Sequence, residues 1–86
     1  MFYDYVALED GTQIVYSDVL EDGTVEISVE RPVELGFDSA RCSIPSFEWY
    51  DVKGFSDDEL HSIDRFVHKN APLMLRLARE ASRTYA

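Results

Sequence analysis

The chain has few cysteines, glycines and cations, and no long apolar run. Each shortage excludes something. One cysteine, Cys42, cannot form an intramolecular disulfide, and a lone thiol fits a reducing compartment. No His or Lys adjoins it in sequence to lower its pKa, so it reads as a small buried hydrophobe, not a reactive thiol. The four glycines stand apart at positions 11, 23, 36 and 54, which excludes a glycine-rich phosphate loop. No stretch approaches eighteen apolar residues, so no membrane span is expected. The opening Met1-Phe2-Tyr3-Asp4 has no basic segment, so no secretory signal is expected and a cytoplasmic location is the default. Eight Lys and Arg face 17 Asp and Glu, a net charge of −9 that opposes ordinary DNA or RNA binding.

What is present begins with a repeat. Leu8-Glu9-Asp10-Gly11-Thr12 recurs unchanged as Leu20-Glu21-Asp22-Gly23-Thr24. An Asp-Gly pair between β-formers is a strong hairpin signal, because the turn needs positive φ. Two such turns predict three antiparallel strands, over 2–8, 13–20 and 25–31. A two-residue Asp-Gly loop would set Ala7 against Ile14, Tyr5 against Tyr16 and Leu20 against Val25. One face would then carry Tyr3, Tyr5, Ala7, Ile14, Tyr16, Leu20, Val25, Ile27 and Val29. A three-residue loop with Gly left-handed would shift the register by one, and Val15 and Val19, diluted by Gln13 and Ser17, would replace Ile14, Tyr16 and Leu20. The first register is favoured because its face is more apolar. Under either register the opposite face keeps Phe2, Val6 and Leu8, and a second half-apolar face implies a partner.

Arg31-Pro32 is expected to end strand 3, since Pro donates nothing to a ladder. After a connection over 33–36, a fourth strand over 37–44 would place Ala40, Cys42 and Ile44 on one face. The aromatic segment 47–55 holds the only Trp and suggests a short fifth strand. Ser56-Asp57-Asp58-Glu59-Leu60 forms a capping box with a Phe55/Leu60 staple and opens a helix whose stripe is Leu60, Ile63, Phe66 and Val67. Pro72 would clash with the His68 carbonyl in a continuous helix. The helix is therefore expected to bend or split there, with a second segment over 72–84 presenting Leu73, Met74, Leu77, Ala78, Ala81 and Tyr85. Leu75 falls outside that stripe.

Charge is segregated. Residues 1–64 hold 16 carboxylates and three cations, a net −13; residues 65–86 hold Arg65, Lys69, Arg76, Arg79 and Arg83 against Glu80, a net +4. The plain reading is an acidic sheet facing a basic helix. Arg76, Arg79 and Arg83 lack the Asn/Gln/Ser interleaving of a base-reading helix.

Constellations for chemistry are sparse. His61, Asp64 and His68 share a helix face, but the two His are about 10 Å apart in rise, too far for one tetrahedral ion. Asp64 with His68 could supply two metal ligands and would need a third from elsewhere. No spacing marks a catalytic triad, no cofactor is implied, and an enzyme is not expected.

The expected fold is α+β in a single domain, 1–86. A three- to five-stranded antiparallel meander with an aromatic loop fills 1–55, and one face is covered by the helical part, 56–86. The expected function is a non-enzymatic interaction module that forms a homodimer or higher oligomer, with Phe47, Trp49, Tyr50 and Leu75 as interface candidates. An acidic nucleic-acid mimic is the alternative. It would bind a basic protein through Asp18, Glu21, Asp22, Glu26, Glu30 and Glu34. A metal-dependent enzyme using Asp64 and His68 comes third.

Overall fold

A computed structural model describes residues 1–85, Thr84 and Tyr85 by backbone alone. It is α+β: strands β1 (Phe2–Ala7), β2 (Gln13–Ser17), β3 (Val25–Val33), β4 (Gly36–Ile44) and β5 (Glu48–Lys53), then one helix, α1 (Asp57–Tyr85). The strands form a single antiparallel meander in the order β1-β2-β3-β4-β5.

The two repeats fold into the same turn. Leu8 N–H bonds the Thr12 carbonyl (2.7 Å) and Leu20 N–H the Thr24 carbonyl (2.8 Å). Gly11 N–H bonds Leu8 (3.0 Å) and Gly23 N–H bonds Leu20 (2.9 Å). Only the glycines take positive φ, 89° at Gly11 and 85° at Gly23. This is the three-residue loop with a left-handed Gly, not the favoured two-residue one. It wins because Asp10 and Asp22 avoid the left-handed region and instead accept the Thr12 (2.9 Å) and Thr24 (3.0 Å) N–H groups.

The shifted register should have buried Val15. Bulges undo it. Val6 pairs with Ile14, but Tyr3 pairs with Tyr16, so Tyr5 is an extra residue on β1. On the other side Leu20 bonds Thr24 while Tyr16 pairs with Ile27, which leaves β2 one residue longer again. The buried side is therefore Ile14 and Tyr16 after all, with Leu20 exposed. The same Tyr5 bulge turns Val6 and Leu8 to the core, so the second face does not keep them as expected. It presents Glu26, Ser28, Glu30, Ser39, Arg41 and Ser43, with Phe2, Ala7, Val15, Pro32, Phe37 and Tyr50 as apolar members.

β3 does not stop at Arg31. It runs to Val33 and turns back through Glu34-Leu35. Pro32 is tolerated because it lies past Gln13↔Glu30, the last pair towards β2, at a sheet edge. Ala40, Cys42 and Ile44 of β4 are fully buried.

The helix is one element through Pro72, and the division into two does not occur. Ile63, Val67, Ala71, Met74 and Ala78 form one buried cluster with Ile14, Val25, Ile27, Val29, Cys42 and Ile44 of the sheet. Their spacing of four, four, three and four keeps one helical phase across the proline. Pro72 itself is exposed, so the His68 carbonyl it leaves unbonded sits on the watery side of α1. Continuity also exchanges two leucines: Leu73 is exposed, and Leu75 packs against the core. Tyr85 lies outside the described side chains.

Candidate functional site

The residues singled out from the sequence divide into three places. Phe47 and Trp49 meet Asp64 and His68 where β5 packs on α1. Trp49 Nε1 donates to Asp64 Oδ1 at 2.8 Å, and His68 Nε2 stands 3.4 Å from the same oxygen. The Phe47 ring stacks on the His68 imidazole, with 3.7 Å between centroids and 14° between planes. Phe47 takes a left-handed φ of 60°, and its N–H closes the β4–β5 turn onto the Ser43 carbonyl (2.7 Å). This cluster joins an edge strand to the helix. Asp64 and His68 face each other as two ligands would, but no third His, Cys, Asp or Glu joins them among the described residues.

Tyr50 points the other way. Its hydroxyl donates to Glu26 Oε1, which Arg41 also approaches at 3.2 Å. Burial first, then the Glu26 carboxylate, raises the Tyr50 phenol to about 12. Leu75 is taken up by the core. Cys42 is buried opposite Trp49, and burial lifts its thiol to about 12, with Asp64 adding to the shift.

The acidic candidates are partly engaged. Asp18 accepts from the Tyr3 hydroxyl (2.6 Å) and the N-terminal ammonium (3.2 Å), and the Tyr3 bond leads in lowering its pKa. Asp22 is held within its own turn by Thr24, and Glu26 by Tyr50 and Arg41. Glu21, Glu30 and Glu34 are exposed. The basic residues do not face the acidic sheet: Arg65, Lys69, Arg76, Arg79 and Arg83 are exposed, and the helix docks by its apolar stripe.

The most exposed apolar surface is one the sequence reading passed over as a connection. The β2 ladder ends at Glu30 and the β5 ladder at Ser39, so the pairs Arg31↔Asp38, Pro32↔Phe37 and Val33↔Gly36 project as a two-stranded arm. Its tip exposes Val33 (44%), Leu35 (99%) and Phe37 (60%). The signal was there: Leu35 is a large apolar residue in a turn, where no core can take it up.

The base of the arm is clamped. Arg31 donates through Nε (3.1 Å) and Nη2 (2.6 Å) to Asp38 Oδ2, and through Nη1 to Glu59 Oε2 (2.6 Å). Asp10 adds a carboxylate at 3.7 Å, and the guanidinium lies 4.8 Å from the Phe55 ring centroid. Glu59 completes the expected capping box, accepting from Ser56 N–H (2.9 Å) while its own N–H donates to Ser56 Oγ (3.1 Å). The Arg31 bond, then the Ser56 N–H, holds the Glu59 carboxyl down at about 2.

No protein-family model, curated protein or solved structure matches the chain. No helix among the described residues is long and apolar enough to cross a membrane.

Proposed function

We propose that the protein is a non-enzymatic, cytoplasmic interaction module that associates with further copies of itself through the tip of the β3–β4 arm. The observation that carries this reading is the exposure of Val33, Leu35 and Phe37 on a rigidly clamped projection. A second copy suits the tip on electrostatic grounds. Two chains of net charge −9 repel, and they meet most easily where carboxylates are scarce. Glu34 is the only charge between Pro32 and Phe37. Burying a side chain such as Leu35 contributes about 1.5–3 kcal/mol. The arm is small beside the roughly 800 Å² per partner of a stable interface, so a dissociation constant of about micromolar is expected. Leu35→Asp tests it: the variant should keep its melting temperature and lose association. Unchanged association in the variant would remove the tip from the interface.

The nucleic-acid mimic retains Glu21, Glu30 and Glu34 as exposed carboxylates. Its test is competition. Duplex DNA should displace the protein from a purified basic DNA-binding protein at low salt, and failure to bind that protein at all at low salt would end this second reading.

A further inference from the structure

A cleft of about 330 Å³ opens between the β1–β2 turn, β3 and the first turns of α1. Its walls are apolar, formed by Leu8, Ile14, Ile63 and Phe66. The charged groups that line it are those of the clamp, Arg31, Asp10 and Glu59. This is the composition of a small-molecule site, an apolar body with a few convergent polar groups, at the lower end of the usual size.

The state of those polar groups selects the ligand. Arg31 has committed three of its five N–H groups, one each on Nε and Nη2 to Asp38 and one on Nη1 to Glu59. An anion entering the cleft would meet a guanidinium already paired with carboxylates, with one face lying over Phe55. Three carboxylates surround this one cation, so the cluster carries an excess of negative charge. Asp10 is the least engaged, 3.7 Å from Arg31 with its side chain 55% exposed. Ionised carboxylates only accept hydrogen bonds. A fitting ligand must therefore bring donors and positive charge to Asp10, and an apolar body to the walls.

We propose that this cleft binds a small organic cation, a primary ammonium on a short apolar or aromatic body. The ammonium docks on the Asp10 carboxylate, on the side that Arg31 leaves open, and the body lies against Leu8, Ile63 and Phe66. The same chemistry is offered by a free amine and by the amino end of a peptide that begins with an aromatic residue.

The test titrates ¹⁵N-labelled protein with 2-phenylethylamine, with 3-phenylpropionate as the anionic counterpart, and with Phe-Gly-Gly in free and N-acetylated forms. The amine should shift the amides of Leu8, Asp10, Ile63 and Phe66 saturably, and the acid should not. Asp10→Asn keeps the acceptor for Thr12 N–H, so the turn and the fold should persist while amine affinity falls at least fivefold. Tighter binding by the free peptide than by the amine assigns the site to a polypeptide terminus, and the reverse assigns it to a metabolite amine. Both outcomes uphold the ammonium site. No saturable shift with either ammonium probe at millimolar concentration, equal binding of the acid, or undiminished affinity in a folded Asp10→Asn variant would each overturn it.

Discussion

Arg31 gathers Asp10, Asp38, Glu59 and Phe55 around one guanidinium. They join the arm to the helix start across 28 residues of sequence. Gly54 makes the arrangement possible. Its φ is +89°, and a Cβ there would lie 1.9 Å from Asp38 Oδ1. Gly54→Ala should therefore displace Asp38 from Arg31 and destabilise the fold by about 2 kcal/mol, read by chemical denaturation. The Glu59 carboxyl makes the clamp sensitive to acid. Its pKa falls from 4.5 to about 2 on folding, so its contribution is complete above pH 4.5 and is lost as the pH drops towards 2. Asp10, lowered chiefly by its bonds to Thr12, acts in the same direction. Glu59→Gln should flatten the decline in stability between pH 5 and pH 2, and an unchanged decline would show that the clamp does not set it. At Cys42 a thiol reagent at pH 8 should react only as fast as the protein opens. The capping box was legible from sequence because its partners are three residues apart. The clamp was not, since nothing local tells Arg31 that Asp38, Glu59 and Phe55 will converge on it.

Elements were legible to the extent that local chemistry dictates them. The repeated Leu-Glu-Asp-Gly-Thr identified two hairpins, and β4 followed from the alternation of Ala40, Cys42 and Ile44. Register was not legible, because it depends on bulges at Tyr5 and before Leu20 that no single residue announces. At Pro72 the local rule was overridden by packing. Polar ties hold α1 along its length, among them Arg31–Glu59 and Trp49–Asp64 near its start, Tyr5–Asn70 (2.6 Å) at its middle, and the Val19 N–H to Ser82 Oγ (3.1 Å) near its end. Together with the buried stripe they keep the helix continuous although Pro72 supplies no N–H to His68. Pro72→Ala should restore that bond on the exposed side and stabilise the protein by roughly 1–3 kcal/mol, several degrees in melting temperature. A lower melting temperature would mean that the proline shapes α1 to fit the sheet.

At the scale of the molecule, charge and apolar surface have been sorted. The cations of α1 point to water, the carboxylates crowd the turns and the open sheet face, and the tip of the arm carries Leu35, the most exposed of the large apolar residues described, with Val33 and Phe37 beside it, while Met1, Phe2, Leu20, Tyr50, Val52 and Leu73 are exposed elsewhere. From the sequence, an apolar surface left over for association is expected on the second sheet face and among Phe47, Trp49, Tyr50 and Leu75. Phe47, Trp49 and Leu75 pack against the helix and core, Tyr50 stays exposed on the sheet face, and Val33, Leu35 and Phe37 are exposed on the arm. An apolar tip on a highly negative protein has a distinctive salt response. Salt screens the repulsion between copies and leaves the apolar contact intact, so association should strengthen as salt rises. The most direct measurement is the mass by light scattering after size exclusion, over a hundredfold concentration range at low and high salt, for the natural chain and for Leu35→Asp. The mass should rise from the 9.9 kDa monomer towards a dimer or higher oligomer with concentration, the rise being larger at high salt and absent in Leu35→Asp. A monomer at high micromolar concentration in both salts, or an oligomer indifferent to Leu35→Asp, would contradict it.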